Sequence, residues 1–213
     1  MTLKNLFFDL DGTIVDSGTG IINGFRYAFD QLNLPQLSDS TLNTFIGPPL
    51  EATFLTLSNG DEHLAETAIN HYRAYYASTG MLESAPYADI VETLSVLSTR
   101  GYTLYIATSK KESVAIDMLK ALKLSDHFDG IFGSTPQTMT KTLVLKHALT
   151  TTQSKPDESV MIGDREFDII GGLNNDVSQT VGVLWGFGDR AELEKVGCDH
   201  IITHPKALLE IFK

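Results

Sequence analysis

Short apolar runs alternate with amphipathic helical patterns along most of this chain. The apolar runs predict buried strands. Most of them are followed by a segment with apolar residues at three- and four-residue spacing, which predicts a helix. Repeated strand–helix units imply a parallel sheet with right-handed crossovers and helices on both faces. The sequence therefore predicts an α/β fold built on a Rossmann-like parallel sheet. The predicted strands lie at residues 6–8, 102–107, 128–132, 159–163, 180–185 and 200–202.

One long segment after the first strand shows helical patterns alone. Its first helix is expected to begin with Asp16 or Ser17 as N-cap and to end at Pro35. Further helical patterns cover residues 42–46, 54–57 and 64–76. We therefore predict an all-helical cap domain inserted into the α/β core. The predicted boundaries place the core at residues 1–16 and 84–213 and the cap at residues 17–83.

The composition is that of an ordinary folded domain with a strong acidic balance. The chain has 213 residues, 42% of them hydrophobic, and a formal net charge of −11. This charge argues against a nucleic acid polymer or an anionic membrane as the main partner. It also repels phosphorylated substrates, so a metal ion and well-placed cations would have to offset it locally.

Cysteine usage and the N-terminal pattern are typical of a cytoplasmic protein. Cys198 is the only cysteine, so the sequence contains neither a disulfide framework nor a cysteine-rich zinc site. No secretory signal pattern precedes Asp9, and no apolar run approaches the roughly 20 residues that span a bilayer. We therefore expect a cytoplasmic location.

An acidic turn, Asp9-Leu10-Asp11-Gly12-Thr13, follows the first predicted strand. Asp9 is placed at the carboxyl end of that strand, where open α/β sheets bind ligands, and strand alternation directs Asp9 and Asp11 to the same side. Gly12 lets the backbone turn sharply or pass close to a ligand. Two close carboxylates tend to share a cation or to titrate apart, which suits a metal-assisted nucleophile beside an acid/base. Asp and Gly are also ordinary turn residues, so this segment alone leaves both interpretations open.

Two later strands also end in polar residues. Thr108-Ser109-Lys110 offers hydroxyls, a cation and backbone N–H groups suited to a phosphate, although Ser109 could equally cap a helix. Asp164 follows the fourth strand of the core, and Asp168 comes four residues later. If a helix begins near Asp164, both carboxylates lie on one face and point back toward the first strand. The alternative is that these acids only stabilise a helix N-terminus.

A lysine and a turn complete the set of candidates. Lys141 lies near the start of the helix after the third core strand, where it can reach the crevice and offset phosphoryl charge. Lys146 and Lys155 are close enough in sequence to be confused with it. The Gly47-Pro48-Pro49 turn is the part of the helical segment best suited to face the site, because helix packing does not require it.

These residues together resemble the four motifs of the haloacid dehalogenase-like phosphohydrolases. The order and the placement at successive strand ends agree with the family. Within it the chain looks like the phosphoglycolate phosphatase branch, because of the helical insertion, Gly47-Pro48-Pro49-Leu50 and Trp185-Gly186-Phe187-Gly188. Dehalogenases proper lack the second aspartate of the first motif, so Asp11 argues against that chemistry. The matching residues are Asp9-Leu10-Asp11-Gly12-Thr13, Thr108, Lys141 and Gly163-Asp164-x-x-x-Asp168.

The resemblance implies a Mg²⁺-dependent phosphatase for a small phosphorylated metabolite, such as a phosphoglycolate-like ester or a nucleoside monophosphate. Asp9 would attack phosphorus and form an aspartyl-phosphate intermediate. Asp11 would protonate the leaving oxygen and then activate water. The Asp9 carboxylate, the Asp11 backbone carbonyl and Asp164 would hold Mg²⁺, with Asp168 orienting water or Asp164.

The remaining candidates would bind the substrate. By resemblance, Thr108, the Ser109 N–H and Lys141 would stabilise the transferred phosphoryl oxygens, although the loop before Lys141 lacks the Lys-Pro pair of many members. Gly12, Gly47 and Pro48 are expected to lie against phosphate or substrate. A sugar phosphomutase, a pyrophosphatase of the same family and a catalytically silent binding protein remain alternatives. The sequence predicts no oligomeric state.

Overall fold

A parallel sheet of six strands forms the centre of the molecule. The computed structural model describes residues 3–213. The strands in chain order are β1 (Asn5–Phe8), β2 (Val15–Asp16), β3 (Ala85–Pro86), β4 (Thr103–Lys111), β5 (Gly130–Ser134), β6 (Ser159–Gly163), β7 (Gln179–Val183) and β8 (His200–Ile202). The order across the sheet is β5-β4-β1-β6-β7-β8, and every neighbouring pair is parallel. The first strand is therefore central, with its carboxyl end between those of β4 and β6.

Helices cover both faces of the sheet, as predicted. The helices in chain order are α1 (Gly18–Gln31), α2 (Asp39–Asn43), α3 (Leu50–Leu57), α4 (Glu62–Ser78), α5 (Ile90–Thr99), α6 (Glu112–Ala121), α7 (Lys141–Thr152), α8 (Glu166–Leu173), α9 (Arg190–Lys195) and α10 (Leu208–Ile211), and those after α4 lie on the sheet. Within the described residues, no helix is long and apolar enough to cross a membrane.

Alternation along the strands divides the core into two apolar clusters. Leu6 and Phe8 of β1 belong to the larger cluster, which also contains buried residues of α5, α6 and α10. Phe7, between them in sequence, belongs to the second cluster, which is completed by apolar residues of α7. Successive strand side chains point to opposite faces, so a fully apolar strand requires cover on both sides. The run Leu6-Phe7-Phe8 thus explains why β1 occupies the middle of the sheet.

The four helices α1 to α4 pack around a cluster of aromatic rings. Phe25 of α1 lies 4.9 Å from Phe54 and 5.1 Å from Tyr72, measured between ring centroids. Tyr72 in turn stacks on Tyr76 of the same helix at 5.7 Å. Stacked and tilted aromatic pairs contribute about 0.5–1.5 kcal/mol beyond their buried area. This cluster gives the helical segment an apolar centre beside the carboxyl end of the sheet.

The chain enters and leaves this helical segment through a small antiparallel ribbon. Strand β2 pairs with β3, with Val15 opposite Pro86 and Asp16 opposite Ala85. The two crossings are therefore tied to one another by backbone hydrogen bonds. The paired strands β2 and β3 therefore connect the helical segment to the rest of the molecule at one place, and the two connections do not move independently.

Several element boundaries differ from the sequence predictions; β5, for example, is predicted at 128–132 and lies at Gly130–Ser134. Helix α1 ends at Gln31, before Pro35, because Asn33 adopts φ 53° and the Leu34 N–H donates to Phe29 O at 2.9 Å. Helix α2 ends at Asn43, so the apolar residues at 45 and 46 follow it instead of forming its face. Strand β4 runs beyond its predicted end at 107 to residue 111, through a register shift against β5.

Candidate active site

Asp9 lies directly beyond β1 at the carboxyl end of the sheet. Its N–H donates to Ile162 O at 2.8 Å, which extends the β1–β6 pairing by one residue and carries the carboxylate into the crevice. Its Oδ1 accepts a hydrogen bond from the Leu10 N–H at 2.7 Å. Carboxylate oxygens of Asp9, Asp164 and Asp168 lie within 4.8 Å of one another. The central strand and its neighbour β6 therefore assemble three buried acids.

Lys141, the first residue of α7, supplies the cation of this cluster. Its Nζ donates to Ala107 O at 2.9 Å and pairs with Asp9 and Asp168, each at 2.7 Å. Burial by itself lowers the pKa of this ammonium, but the Asp168 and Asp9 carboxylates outweigh burial and raise the pKa above its ordinary value. The two other lysines considered from the sequence are exposed. Only Lys141 of the three reaches the carboxylates.

Asp164 is fully buried and held by hydrogen bonds to both of its carboxylate oxygens. The Thr13 hydroxyl donates to Oδ1 at 3.3 Å, and the Phe187 N–H donates to Oδ2 at 2.7 Å. Burial, together with the two neighbouring carboxylates, raises the pKa of Asp164 well above its ordinary value. Its location away from water makes a bound cation the natural partner for its negative charge.

Asp168 both caps a helix and joins the cluster. Its Oδ2 accepts from the Arg165 N–H at 3.0 Å in the first turn of α8, and its Oδ1 meets Lys141. Helix α8 begins at Glu166, so Asp164 precedes the helix, and the expected shared helical face is wrong. Both interpretations of Asp168 hold at once, because one oxygen stabilises the helix and the other faces the cluster. Burial and then Asp9 raise the pKa of Asp168.

The buried acids suit a hard divalent cation such as Mg²⁺. Three carboxylates face one ammonium, which leaves negative charge in a space closed to water. Carboxylate oxygens are the donors that Mg²⁺ takes in proteins. The Asp11 carboxylate does not belong to this group, so Asp11 would contribute through its backbone carbonyl, as the resemblance implies.

Asp11 has a separate set of partners. Lys110 Nζ lies 3.0 Å from Oδ1 and 2.9 Å from Oδ2, and the Ser17 hydroxyl donates to Oδ1 at 2.6 Å. Ser17 occupies the N-cap position of α1, as predicted, but its hydroxyl bonds Asp11, and the Gly18 N–H donates to Asp16 Oδ1 at 3.2 Å instead. The same Lys110 ammonium donates to the Tyr76 hydroxyl of α4 at 2.9 Å. Burial lowers the pKa of Lys110, and Asp11, followed by the two tyrosines nearby, raises it overall.

A cavity of about 850 Å³ opens between the carboxyl end of the sheet and helices α1 to α4. Many of the site residues predicted from the sequence line it, and the others lie behind Asp9 or in the adjoining turn. The lining predicted residues are Asp9, Asp11, Gly47, Pro48, Thr108 and Ser109. Ser109 does not cap α6, whose N-cap is Lys111. The four predicted residues outside the lining are Gly12, Lys141, Asp164 and Asp168.

Two contacts at the cavity were not anticipated. Lys110 was expected as a phosphate-binding cation after Thr108-Ser109, but no sequence signal indicated its ion pair with Asp11. Arg165 joins the helical segment to the core: its Nη1 donates to Ile46 O, and its Nε pairs with Glu192 at 2.7 Å. Nothing in the periodicity of the sequence indicates this link, because its three residues are far apart in the chain.

A family model for haloacid dehalogenase-like hydrolases matches residues 6–183, which includes every residue of the carboxylate cluster. The chain belongs to this family. A 5′-nucleotidase of Pseudomonas aeruginosa is 35% identical over 211 residues, covering 98% of this chain and 95% of that protein. The tyrosine-protein kinase PtkA of Mycobacterium tuberculosis is 33% identical over 208 residues, covering 97% of this chain and 70% of that protein.

A solved structure supports the same assignment. A haloacid dehalogenase-like hydrolase from Streptococcus pneumoniae superposes with a TM-score of 0.93 at 39% identity, covering 99% of each chain. The likeness extends over the helical segment as well as the sheet, because the superposition covers 99% of each chain. That hydrolase therefore shares the architecture described above.

Proposed function

We propose that this hydrolase is a Mg²⁺-dependent phosphatase that cleaves a small phosphomonoester through an aspartyl-phosphate at Asp9. The observation that carries the proposal is the position of Asp9. Its carboxylate belongs to the buried cluster with Lys141, Asp164 and Asp168, and it also lines the cavity. A nucleophile needs both a fixed, charged environment behind it and open space for substrate in front.

The first half-reaction follows from this placement. An Asp9 oxygen attacks phosphorus, the bond from phosphorus to the leaving oxygen breaks, and Asp11, protonated by water in the preceding turnover, gives that proton to the leaving oxygen. Thr108 and the Ser109 N–H lie at the same cavity wall, where they can donate to the phosphoryl oxygens. Lys141 holds Asp9 in place through its 2.7 Å contact.

The second half-reaction regenerates the enzyme. Asp11 takes a proton from water, the water oxygen attacks phosphorus of the aspartyl-phosphate, and the bond to Asp9 breaks to release inorganic phosphate. Mg²⁺ held by Asp9, Asp164 and the Asp11 carbonyl, with Asp168 beside it, would supply positive charge for the phosphoryl oxygens. The site requires such added positive charge, because six acidic and only four basic side chains line the cavity or form the cluster behind it.

The size and chemistry of the cavity favour a nucleoside monophosphate over a two-carbon ester such as phosphoglycolate. Its volume of about 850 Å³ lies in the upper part of the range for ligand pockets. Its far wall is apolar and aromatic, and aromatic side chains provide stacking surfaces for a flat base. The residues of that wall are Ile21, Phe25, Phe45, Ile46, Leu50 and Tyr72.

The same contacts support a cap role for residues 17–83. Ile46, Gly47 and Pro48 line the cavity that Asp9 enters from the sheet, so the reaction space lies between the two parts. The β2–β3 ribbon gives the helices one joint about which they can open for substrate and close to exclude water. We propose a core at residues 1–16 and 84–213 and a cap at residues 17–83.

A panel of phosphate esters tests the proposal. We expect release of inorganic phosphate in the presence of Mg²⁺, with kcat/KM higher for nucleoside monophosphates than for phosphoglycolate, sugar phosphates and pyrophosphate. Asp9→Asn should abolish turnover, because the amide is not a competent nucleophile, while circular dichroism and Tm stay close to those of the native protein.

Other outcomes have distinct meanings. Full activity of Asp9→Asn would refute the nucleophile, and a best kcat/KM with phosphoglycolate would refute the substrate class. Isomerised sugar phosphate without free phosphate would identify a phosphomutase. No turnover of any ester would favour a binding protein.

A further inference from the structure

One lysine connects Asp11 to the helical segment above it. Lys110 Nζ contacts both Asp11 oxygens at 3.0 and 2.9 Å, and it donates to the Tyr76 hydroxyl at 2.9 Å. The ammonium also lies 4.3 Å from the centroid of the Tyr76 ring, which is within the range of a cation–π interaction. Tyr76 therefore contacts the same cation through its oxygen and its ring face.

The backbone of β4 directs this side chain into the cavity. The pairing of β4 with β5 is regular to Ala107 and resumes at Lys111, with a register shift between them. In the irregular stretch the Lys110 N–H donates to Thr108 Oγ1 at 3.2 Å. Irregular strand ends of this kind redirect side chains beside functional sites.

Burial makes the three groups dependent on one another. The side chains of Lys110 and Asp11 are only 9% and 14% exposed, and Tyr76 is buried. A charge this far from water is stable only when it is paired and hydrogen-bonded. Asp11 also receives the Ser17 hydroxyl at 2.6 Å, so its carboxylate is restrained on two sides.

Asp9 does not share these partners. Its ammonium partner is Lys141, which makes no hydrogen bond or ion pair with Asp11 among the described side chains. A change at Lys110 therefore disturbs the orientation of Asp11 and leaves the surroundings of Asp9 in place. This separation allows the two carboxylates to be tested independently.

We propose that Lys110, held by Tyr76, is a positioning residue that fixes the Asp11 carboxylate toward the leaving oxygen. The proposal rests on the phosphatase function proposed above. A proton donor acts only within hydrogen-bond reach of its target, and loss of orientation removes much of the 10²–10⁴-fold contribution of general acid–base catalysis. Because Tyr76 lies on α4, the orientation of Asp11 also depends on the position of the helical segment.

The proposal predicts a dependence on the leaving group. A p-nitrophenolate ion departs without a proton, whereas an alkoxide requires one. Loss of Lys110 should therefore slow formation of the aspartyl-phosphate from alkyl phosphates much more than from p-nitrophenyl phosphate. Hydrolysis of the intermediate also uses Asp11, so p-nitrophenyl phosphate should give a burst of p-nitrophenolate in the variant as the intermediate accumulates.

The test compares two variants, Lys110→Met and Tyr76→Phe, with the native protein. Stopped-flow and steady-state kinetics are measured with both ester classes in the presence of Mg²⁺. For Lys110→Met we expect kcat with alkyl phosphates to fall about 100-fold, with KM changed little and the first step with p-nitrophenyl phosphate slowed less than about 5-fold. Tyr76→Phe keeps the ring and loses the hydroxyl. It should lower the rate with alkyl phosphates relative to the first step with p-nitrophenyl phosphate by about 3- to 10-fold.

Two substitutions serve as matched controls. Lys155→Met removes an exposed lysine whose ion pair with Glu158 is 3.5 Å long, and Tyr75→Phe removes a hydroxyl on α4 that bonds Glu83. Neither residue lines the cavity, and both variants should match the native protein in both ester classes.

The outcomes separate this proposal from the proposed function. Equal losses for both ester classes in Lys110→Met and Tyr76→Phe, without a burst, would overturn the positioning role while native turnover leaves the phosphatase proposal intact. If the native protein hydrolyses neither ester class, both proposals fall. Should Lys110→Met fold poorly, an unchanged leaving-group ratio in Tyr76→Phe is sufficient to overturn the role.

Discussion

Asp9 and Asp11 are separated by one residue, yet each carboxylate has its own lysine. Asp9 pairs with Lys141 at 2.7 Å, and Asp11 pairs with Lys110 at 2.9 Å. Two carboxylates that shared one cation would change each other's charge whenever either reacted. With separate cations, Asp9 can become esterified while Asp11 keeps its partner. Division of the counterions is thus the residue-level basis for assigning the two acids different chemical steps.

Gly12 is required at its position for two independent reasons. Its φ is +84°, a backbone conformation that residues other than glycine rarely adopt. A Cβ there would lie 2.6 Å from Cγ of Asp164. We expect Gly12→Ala to lower the free energy of unfolding by at least about 3 kcal/mol, because backbone strain and displacement of a buried carboxylate act together. Urea denaturation followed by circular dichroism measures this loss.

Gly101 provides the matched comparison. It has φ +89°, with nothing within 4 Å of the position of a Cβ, so Gly101→Ala introduces the strain without the overlap. That variant should lose only about 1–2 kcal/mol. Equal losses of unfolding free energy in the two alanine variants would mean that the overlap of the new Cβ with Asp164 costs nothing.

At the level of elements, the loop that follows β6 ties together three parts of the chain. Arg165 contacts Ile46 O in the helical segment and pairs through Nε with Glu192 of α9. Glu192 also accepts the Glu166 N–H at 2.8 Å, which fixes it at the start of α8. One carboxylate thus orients the arginine that touches the loop before Gly47.

Glu192→Gln should loosen that loop. The amide keeps the size and an acceptor oxygen but loses the charge that holds Arg165, whose side chain is only 12% exposed. We expect amide hydrogen exchange at Phe45, Ile46 and Gly47 to accelerate about 3- to 10-fold, because their contact with the arginine is less well fixed. Mass spectrometry of peptides covering this loop measures the change.

Glu194→Gln on the same helix is the control. Glu194 pairs with Arg190 at 3.5 Å with both side chains more than half exposed, and exposed pairs contribute little. Exchange in the loop should be unchanged in that variant. If both variants behave alike, Arg165 does not restrain the loop.

At the level of the whole molecule, the fold was predictable because apolar runs determine which strands are central. Leu6-Phe7-Phe8 is buried on both faces, and the acids that follow such strands must meet at one edge of a parallel sheet. Asp9, Asp164 and Lys141 could therefore be expected together. The roles of Ser17 and Lys110 could not, because a side chain's partner across the cavity depends on how the helical segment packs on the sheet.

The net charge of −11 gives the last prediction, since it acts on a substrate before any contact forms. Like charges repel, and salt screens this repulsion as the Debye length falls from about 30 Å at 0.01 M to about 8 Å at 0.15 M. We expect kcat/KM for a nucleoside monophosphate to rise about 2- to 5-fold over this range at fixed saturating Mg²⁺, with kcat unchanged. A nucleoside diphosphate, which carries more negative charge, should show a steeper rise in binding as a competitive inhibitor. A fall in kcat/KM with salt would mean that the lysines and arginine of the cavity, rather than the molecule as a whole, control the approach of the substrate.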